Sequence, residues 1–281
     1  HQTADLSVSL IELFREKGID PSIILFLGDS NSVVSAVALK KEGYRIGHIE
    51  AGMRSYDRRM LEEINRVVCD HCSDLLFVYH ENYKEKAIRE GIPPETIFVV
   101  GNTIVEVVNN LDFPEESKDI GILLDIHRPE NFKHKSRMES IILLGNQLSD
   151  HYNTPIKMLS FKRTMDKLKE FNISTGNIEL VDLMSFKDYT KEVYNSKFII
   201  SDSGTAQEEP SLLGTPVIVP RDHTERPESM TNGCSLMFDV VNDTFNNVIP
   251  WIDTYRDNSS TEWLGDGTTS NKIMEILKKE L

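Results

Sequence analysis

Carboxylates recur in this chain where an α/β fold would place chemistry. Asp29 follows the apolar run IILFL within GDS (28–30), and Glu50 ends the run RIGHI and precedes two small residues, Ala51 and Gly52. At the carboxyl ends of parallel strands two such side chains face one crevice, and paired acids are the groups that move protons. Asp29 alone fits a helix N-cap equally well. Glu62 and Arg66 stand four residues apart, so they share a helix face and can pair. Taken alone, that pair also fits an exposed salt bridge of little worth. A functional role requires its face to turn toward the strand ends.

A second group of residues is suited to an anion. The segment KFIISDSGTAQEEPSLLG (197–214) predicts a buried strand, a small-residue turn and a helix. Amides at a helix N-terminus, approached over small residues, bind phosphate, although S-D-S-G alone also fits a capping turn. Glu208 or Glu209, two turns into that helix, would reach the paired hydroxyls of a ribose. His127 and Arg128, at another predicted strand end, add positive charge for the same phosphates. Cys69 and Cys72 form C-x-x-C without the second pair that zinc wants and away from a helix start, so they read as packing residues. No metal site is expected. Neither a Walker loop nor G-x-G-x-x-G, H-E-x-x-H or G-x-S-x-G occurs, which leaves nicotinamide, flavin, P-loop and α/β-hydrolase chemistry without support.

The elements that must position these residues follow from the hydrophobic pattern. Short apolar, β-branched runs (23–27, 45–49, 75–79, 97–100, 120–126, 156–161, 178–181, 197–200, 216–219) alternate with amphipathic stretches (32–42, 61–72, 82–90, 136–148, 185–194). Alternation of this kind predicts an α/β fold of doubly wound parallel sheets. A helix over 4–17 leads straight into the run 23–27, which reads as a sheet lacking its opening strands. The acidic, proline-containing segment Asp112–Asp119 reads as a hinge between a first domain (1–112) and a second (119–267). With 45 acidic against 31 basic side chains the net charge is −14, which argues against nucleic acid or membrane as a partner. Three cysteines and no visible signal peptide suggest a reducing cytoplasm.

Several segments appear in one order that is similar to a known family: GDS (28–30), GHIEAGMRS (47–55), EEINR (62–66), GNTIVEV (101–107), HRPENF (127–132), SDSGTAQEEPSLLGTPV (201–217), RDHTERPE (221–228) and GDG (265–267). They resemble the non-hydrolysing UDP-N-acetylglucosamine 2-epimerases over essentially the whole chain. The resemblance implies two Rossmann-like domains in the GT-B architecture that many glycosyltransferases share, with the helix 268–281 packed back on the first. It implies an isomerase that needs no cofactor and interconverts UDP-GlcNAc and UDP-ManNAc through elimination and re-addition of UDP at a 2-acetamidoglucal. By motif it implies that Asp29, Glu50 and Glu62 are the active-site acids, Arg66 the arginine that orients or neutralises one of them, and His127 the histidine near the diphosphate. It further implies that Ser203, Gly204 and Thr205 form the turn that holds the UDP phosphates, and that Glu209 holds the ribose. A homodimer is expected.

Four departures from the family pattern bear on this expectation. The family opens with a strand and a basic G-T-R-P-E-type loop ahead of the position of His1. The spacing MRSYDRRML is shorter than in many members and is similar to relatives acting on UDP-L-fucosamine- or talosamine-type sugars or on diacetamido-uronic acids. Phe161-Lys162-Arg163-Thr164 stands where a His-Pro pair is usual, and Thr205 replaces a common second glycine. The alternatives to the UDP-GlcNAc epimerase are thus an epimerase of a modified UDP-sugar, a GT-B glycosyltransferase, or an inactive UDP-sugar-binding remnant.

Overall fold

A computed structural model of the chain describes residues 2–58, 60–113 and 119–281. The elements run α1 (Gln2–Lys17), β1 (Ile24–Leu27), α2 (Ser35–Lys41), β2 (Ile46–Ala51), α3 (Leu61–Cys72), β3 (Leu75–Val78), α4 (Glu81–Arg89), β4 (Ile97–Val99) and α5 (Ile104–Asn109). After them come β5 (Gly121–Asp125), α6 (Pro129–Phe132), α7 (Lys135–Tyr152), β6 (Ile156–Leu159), α8 (Lys162–Phe171), β7 (Glu179–Val181), α9 (Phe186–Asn195) and β8 (Ser196–Ser201). The last are α10 (Glu209–Leu212), β9 (Val217–Val219), α11 (Pro227–Thr231), β10 (Ser235–Met237), α12 (Phe245–Asn258) and α13 (Thr269–Glu280). Two compact units result: unit 1 comprises His1–Glu106 with Trp263–Leu281, and unit 2 comprises Val107–Glu262. Most of the expected hinge, residues 114–118, lies outside the described residues.

Unit 1 holds a four-stranded parallel sheet in the order β1-β2-β3-β4. Strand β3, LLFV, is buried throughout because alternate residues feed opposite layers. Leu76 and Val78 pack with Tyr83 and Ala87 of α4. Leu75 and Phe77 pack with Ile273 and Leu277 of α13, which places the last helix in the core of unit 1. The strand β1 lies at an edge, with Leu25 and Leu27 exposed, while Phe26 joins a cluster with Ala36, Leu39 and Cys69. Both cysteines of the C-x-x-C segment contribute to that packing, Cys69 at its centre and Cys72 against its rim.

In unit 2 six parallel strands follow the order β10-β9-β8-β5-β6-β7. The chain steps outward from β5 to β6 and β7, then returns to place β8 on the other side of β5. The winding therefore reverses at the β5/β8 pair, the topological switch point at which open α/β sheets bind ligands. Its core gathers Ile122, Leu124, Phe198 and Ile200 from the strands with Ile141, Leu144 and Leu148 from α7. Strand β10 and helix α12 were not foreseen. The former is three residues long, and the latter carries Pro250 in its interior, which sequence patterns read as a break. Among the described residues no helix is long and apolar enough to cross a membrane.

Candidate functional site

In unit 1 the strand ends of β1 and β2 and the inner face of α3 converge. The sheet register breaks between Ile49 and Ala51, and Glu50 sits in that break with φ of 67°. A bulge of this kind re-aims a side chain that regular alternation would send elsewhere. Glu50 thereby meets Arg66 of α3, a residue only 1% exposed, whose guanidinium bridges two strand ends. Its Nη2 lies 2.5 Å from Asp29 Oδ2 and 3.0 Å from Glu50 Oε1, and Nη1 donates to the Glu50 carbonyl. One guanidinium thus offsets two carboxylates that would otherwise repel each other. The neighbouring Asn65 donates to the Asp29 carbonyl at 3.0 Å, so the turn after β1 is held through backbone as well as side chain. Glu62, half-buried, stands one turn ahead of Arg66 in the first turn of α3. The helix face carrying Arg66 is accordingly turned to the strand ends.

Glu63, to which the sequence assigned nothing, anchors the loop before α3. Its carboxylate accepts from Ser55 N and Oγ at 2.9 Å each and from Tyr56 N at 3.0 Å. Met60 offers no side-chain cap to that helix, and Glu63 at the third helical position reaches back to loop amides as the acid of a capping box does.

In unit 2 the residues after β5 and β8 meet at the switch point. Asp202 is fully buried and accepts from His127 N, Arg128 N and Asn131 Nδ2, all at 3.0 Å. Burial raises the pKa of this carboxyl, against the pull of His127 and those donors. His127 Nδ1 lies 2.9 Å from Asp125 Oδ1, and its ring stacks at a tilt on Phe161, centroid to centroid 4.9 Å. Burial alone would lower the pKa of His127, but the bond to Asp125 and the charges of Asp125 and Asp202 outweigh it, so the pKa is raised. An imidazolium held at Nδ1 by Asp125 has its Nε2–H left to donate toward an anion. Asp125, His127 and Asp202 lie within 4.8 Å of one another, the spacing of a metal site. Both Asp202 oxygens, however, already accept N–H bonds, so the cluster is built as a hydrogen-bonded clamp.

The segment after β8 differs from the helix expected there. Thr205–Gln207 make one 3-10 turn, the backbone breaks at Glu208 (φ −122°, ψ −66°), and α10 starts afresh at Glu209. Pro210, which has no N–H to give, fits the start of a helix and not its middle. Glu209 therefore opens a short helix where a position two turns into a long one was expected. Glu208 turns inward to Arg226 Nε at 2.9 Å, and Glu225 pairs with Arg226 Nη1 at 2.6 Å. Gly204 rests on this group: a Cβ there would stand 2.7 Å from Arg226 Nη1 and 2.8 Å from Glu225 Oε1. Ser203 and Thr205 flank it, their hydroxyls 3.2 Å apart and facing outward. Glu209 is half-buried; burial first, and the charge of Glu208 second, push its pKa up to about 7 against the pull of Arg226. Arg226 and Glu225 fall within RDHTERPE, but no spacing rule foretells that they seat the glycine turn.

Comparison with known proteins follows the same lines. The family model described as UDP-N-acetylglucosamine 2-epimerase matches residues 1–278. A UDP-N-acetylglucosamine 2-epimerase of Methanocaldococcus jannaschii is 34% identical over 94% of this chain and 76% of its own. A UDP-2,3-diacetamido-2,3-dideoxy-D-glucuronate 2-epimerase of Pseudomonas aeruginosa is 28% identical over 95% of this chain and 77% of its own. The crystal structure of the M. jannaschii UDP-GlcNAc 2-epimerase in complex with UDP-GlcNAc and UDP superposes with a TM-score of 0.84 at 31% identity, covering 99% of this chain and 81% of that one. The chain belongs to the UDP-N-acetylglucosamine 2-epimerase family, a family of isomerases.

Proposed function

From that membership we propose that the protein epimerises C2 of an N-acetylated UDP-sugar, with UDP-GlcNAc and UDP-ManNAc as its pair. The observation that carries this reading is the joining of Asp29 and Glu50 by Arg66 at the ends of β1 and β2, with Glu62 one turn away. Epimerisation without a redox step needs acids and bases that take a proton from C2 and return one to the opposite face. Asp29, Glu50 and Glu62 supply them. As the C2 proton leaves, the C1–O bond breaks and UDP departs with the bonding pair, giving the 2-acetamidoglucal. Re-addition of UDP at C1 with protonation of C2 from the other side completes the exchange. Unit 2 supplies the UDP contacts: His127 as imidazolium, Arg128, the Ser203-Gly204-Thr205 turn for the diphosphate, and Glu209 for the ribose. Charge-assisted donors of this kind stabilise the departing diphosphate most when its charge has developed.

Incubation with UDP-GlcNAc in D2O tests the reading. Deuterium at C2 together with a UDP-ManNAc signal is expected. Free sugar as the sole product, or UDP binding without exchange, overturns it. A second substrate class deserves the same assay, because the short MRSYDRRML segment and the similarity to the P. aeruginosa enzyme both favour UDP-diacetamido-uronic acids. We further place the enzyme in a reducing cytoplasm, which its three cysteines, none of them in a disulfide, suit, and expect a homodimer, which light scattering after size exclusion would reveal.

A further inference from the structure

A buried ion network underlies the unit 1 carboxylates, and the reaction outlined above does not use it. His48 of β2 has no exposed surface. Its Nδ1 lies 2.6 Å from Asp70 Oδ1, and its Nε2 lies 2.7 Å from the Gly28 carbonyl. The carbonyl can only accept. The Asp70 carboxylate is paired with Arg54 Nη1 at 2.7 Å and accepts the Gly52 amide at 3.1 Å, so it too acts as an acceptor. Each ring nitrogen therefore carries a hydrogen, because a neutral imidazole would set a lone pair against one of these acceptors with the ring wholly buried. Arg54 continues the network to Glu90, its Nη2 2.7 Å from Oε2.

The network grips the chain on both sides of the bulge. Asp70 holds His48 two residues before Glu50 and the Gly52 amide two residues after it. A non-glycine residue at φ of 67°, as Glu50 is, is strained and persists only where its surroundings over-determine it. Gly52 admits no substitute, since at φ of 76° a Cβ would lie 2.6 Å from the Tyr83 carbonyl. Through its other nitrogen the same histidine holds Gly28, the residue before Asp29.

We propose that His48, doubly protonated between Asp70 and the Gly28 carbonyl, is a positioning residue that locks the turn carrying Asp29 to the bulge carrying Glu50. Its consequence for turnover rests on the reading of those two carboxylates as proton-transfer groups; its charge state and its grip on them do not. The ionisable groups facing the ring are Asp70 and Cys69 of α3, with Arg54 beyond Asp70. Burial alone would lower the pKa of His48, but Asp70 foremost and Cys69 after it raise it to about 10.

Three measurements on the full chain test this. In protein labelled with 15N-histidine, both His48 ring nitrogens are expected to be protonated and unchanged from about pH 6 to about pH 9, where an ordinary histidine titrates. A neutral tautomer, or titration inside that window, overturns the proposal. In His48→Gln, which keeps a donor for Gly28 but loses the bond to Asp70, the Gly28 and Gly52 amides, bonded to the Ile49 carbonyl and to Asp70, are expected to exchange with solvent faster as the turn and the bulge come loose. Exchange at both amides equal to the wild type in folded protein overturns it. Finally, C2 exchange in His48→Gln is expected to fall ~10–100-fold in kcat, the scale of a slightly misplaced reacting group, with KM and UDP affinity held; unchanged kcat overturns the proposal. Should the wild-type chain exchange no deuterium with either substrate class, the proton-transfer reading fails, while the nitrogen spectra and the amide exchange still decide the role of His48.

Discussion

Two parallel sheets in this molecule end in opposite electrostatic arrangements. At the strand ends of unit 1, Asp29 and Glu50 share one buried arginine, and parts of both carboxylates stay accessible, 31% and 18% by side chain. At the switch point of unit 2 the acids are turned inward. Asp125 is 4% exposed and Asp202 not at all, and they are occupied in orienting His127 and pinning the backbone of residues 127 and 128. One arrangement keeps part of each carboxylate accessible; the other uses its carboxylates to hold an imidazole and backbone amides in place. A carboxylate at a strand end therefore has no role by position alone. How much of it stays accessible, and which donors it already serves, sets what it can do.

The largest effect should separate the two regions outright. Asp29→Asn and Glu62→Gln are each expected to slow C2 exchange by ~10²–10⁴-fold, the usual worth of positioned proton transfer, with UDP affinity by calorimetry unchanged. Near-full exchange in either variant removes that residue from the chemistry. Ser203→Trp should do the reverse, weakening UDP binding by at least ~100-fold, or about 2.7 kcal/mol, with the melting curve of the protein retained. Unaltered affinity there would refute the phosphate role of the turn.

A smaller effect concerns charge at the switch point. Because the pKa of His127 is raised, its positive charge is present below that value and lost as pH rises through it. UDP affinity is expected to decline on that alkaline limb, and His127→Ala should bind roughly tenfold more weakly at neutral pH and lose the limb, in keeping with one charge-assisted hydrogen bond. A limb that survives the substitution points to another group. The smallest change in UDP affinity is expected at Glu209. Its pKa of about 7 against an ordinary 4.5 means that its ionised form is a cost to the fold above pH 7, relieved as pH falls from about 7 toward 4.5. At pH 8, Glu209→Gln should therefore raise stability by roughly 1–3 kcal/mol while lowering UDP affinity several-fold. If stability and affinity move in the same direction, the opposition between folding and ribose binding is wrong.

How far the chain could be read without coordinates varies by residue. The α3 span matches its pattern at both ends, because its apolar face repeats cleanly. Asp29, Glu50 and Arg66 were legible as candidates because each sits at a strand end or a helical spacing that limits where it can point. Glu63 was not, since a helix pattern does not say which of two adjacent glutamates turns back to cap its own loop. His48 and Asp70 were also silent: a histidine within RIGHI reads as one more strand residue, and its partner lies 22 residues away on another element. The break at Glu208 needed Arg226 in place to draw that carboxylate inward.

The amino-acid sequence by itself determined the alternation of apolar strands and amphipathic helices, the α/β class and the motifs by which the family is known, because these depend on neighbours within a few residues along the chain. Tertiary structure alone decided the strand order that reverses at β5 and β8, the bulge that aims Glu50, and which carboxylates keep accessible surface. Those outcomes depend on groups brought together from distant segments, where burial and the supply of hydrogen-bond donors, and not residue type, set what an acid can do.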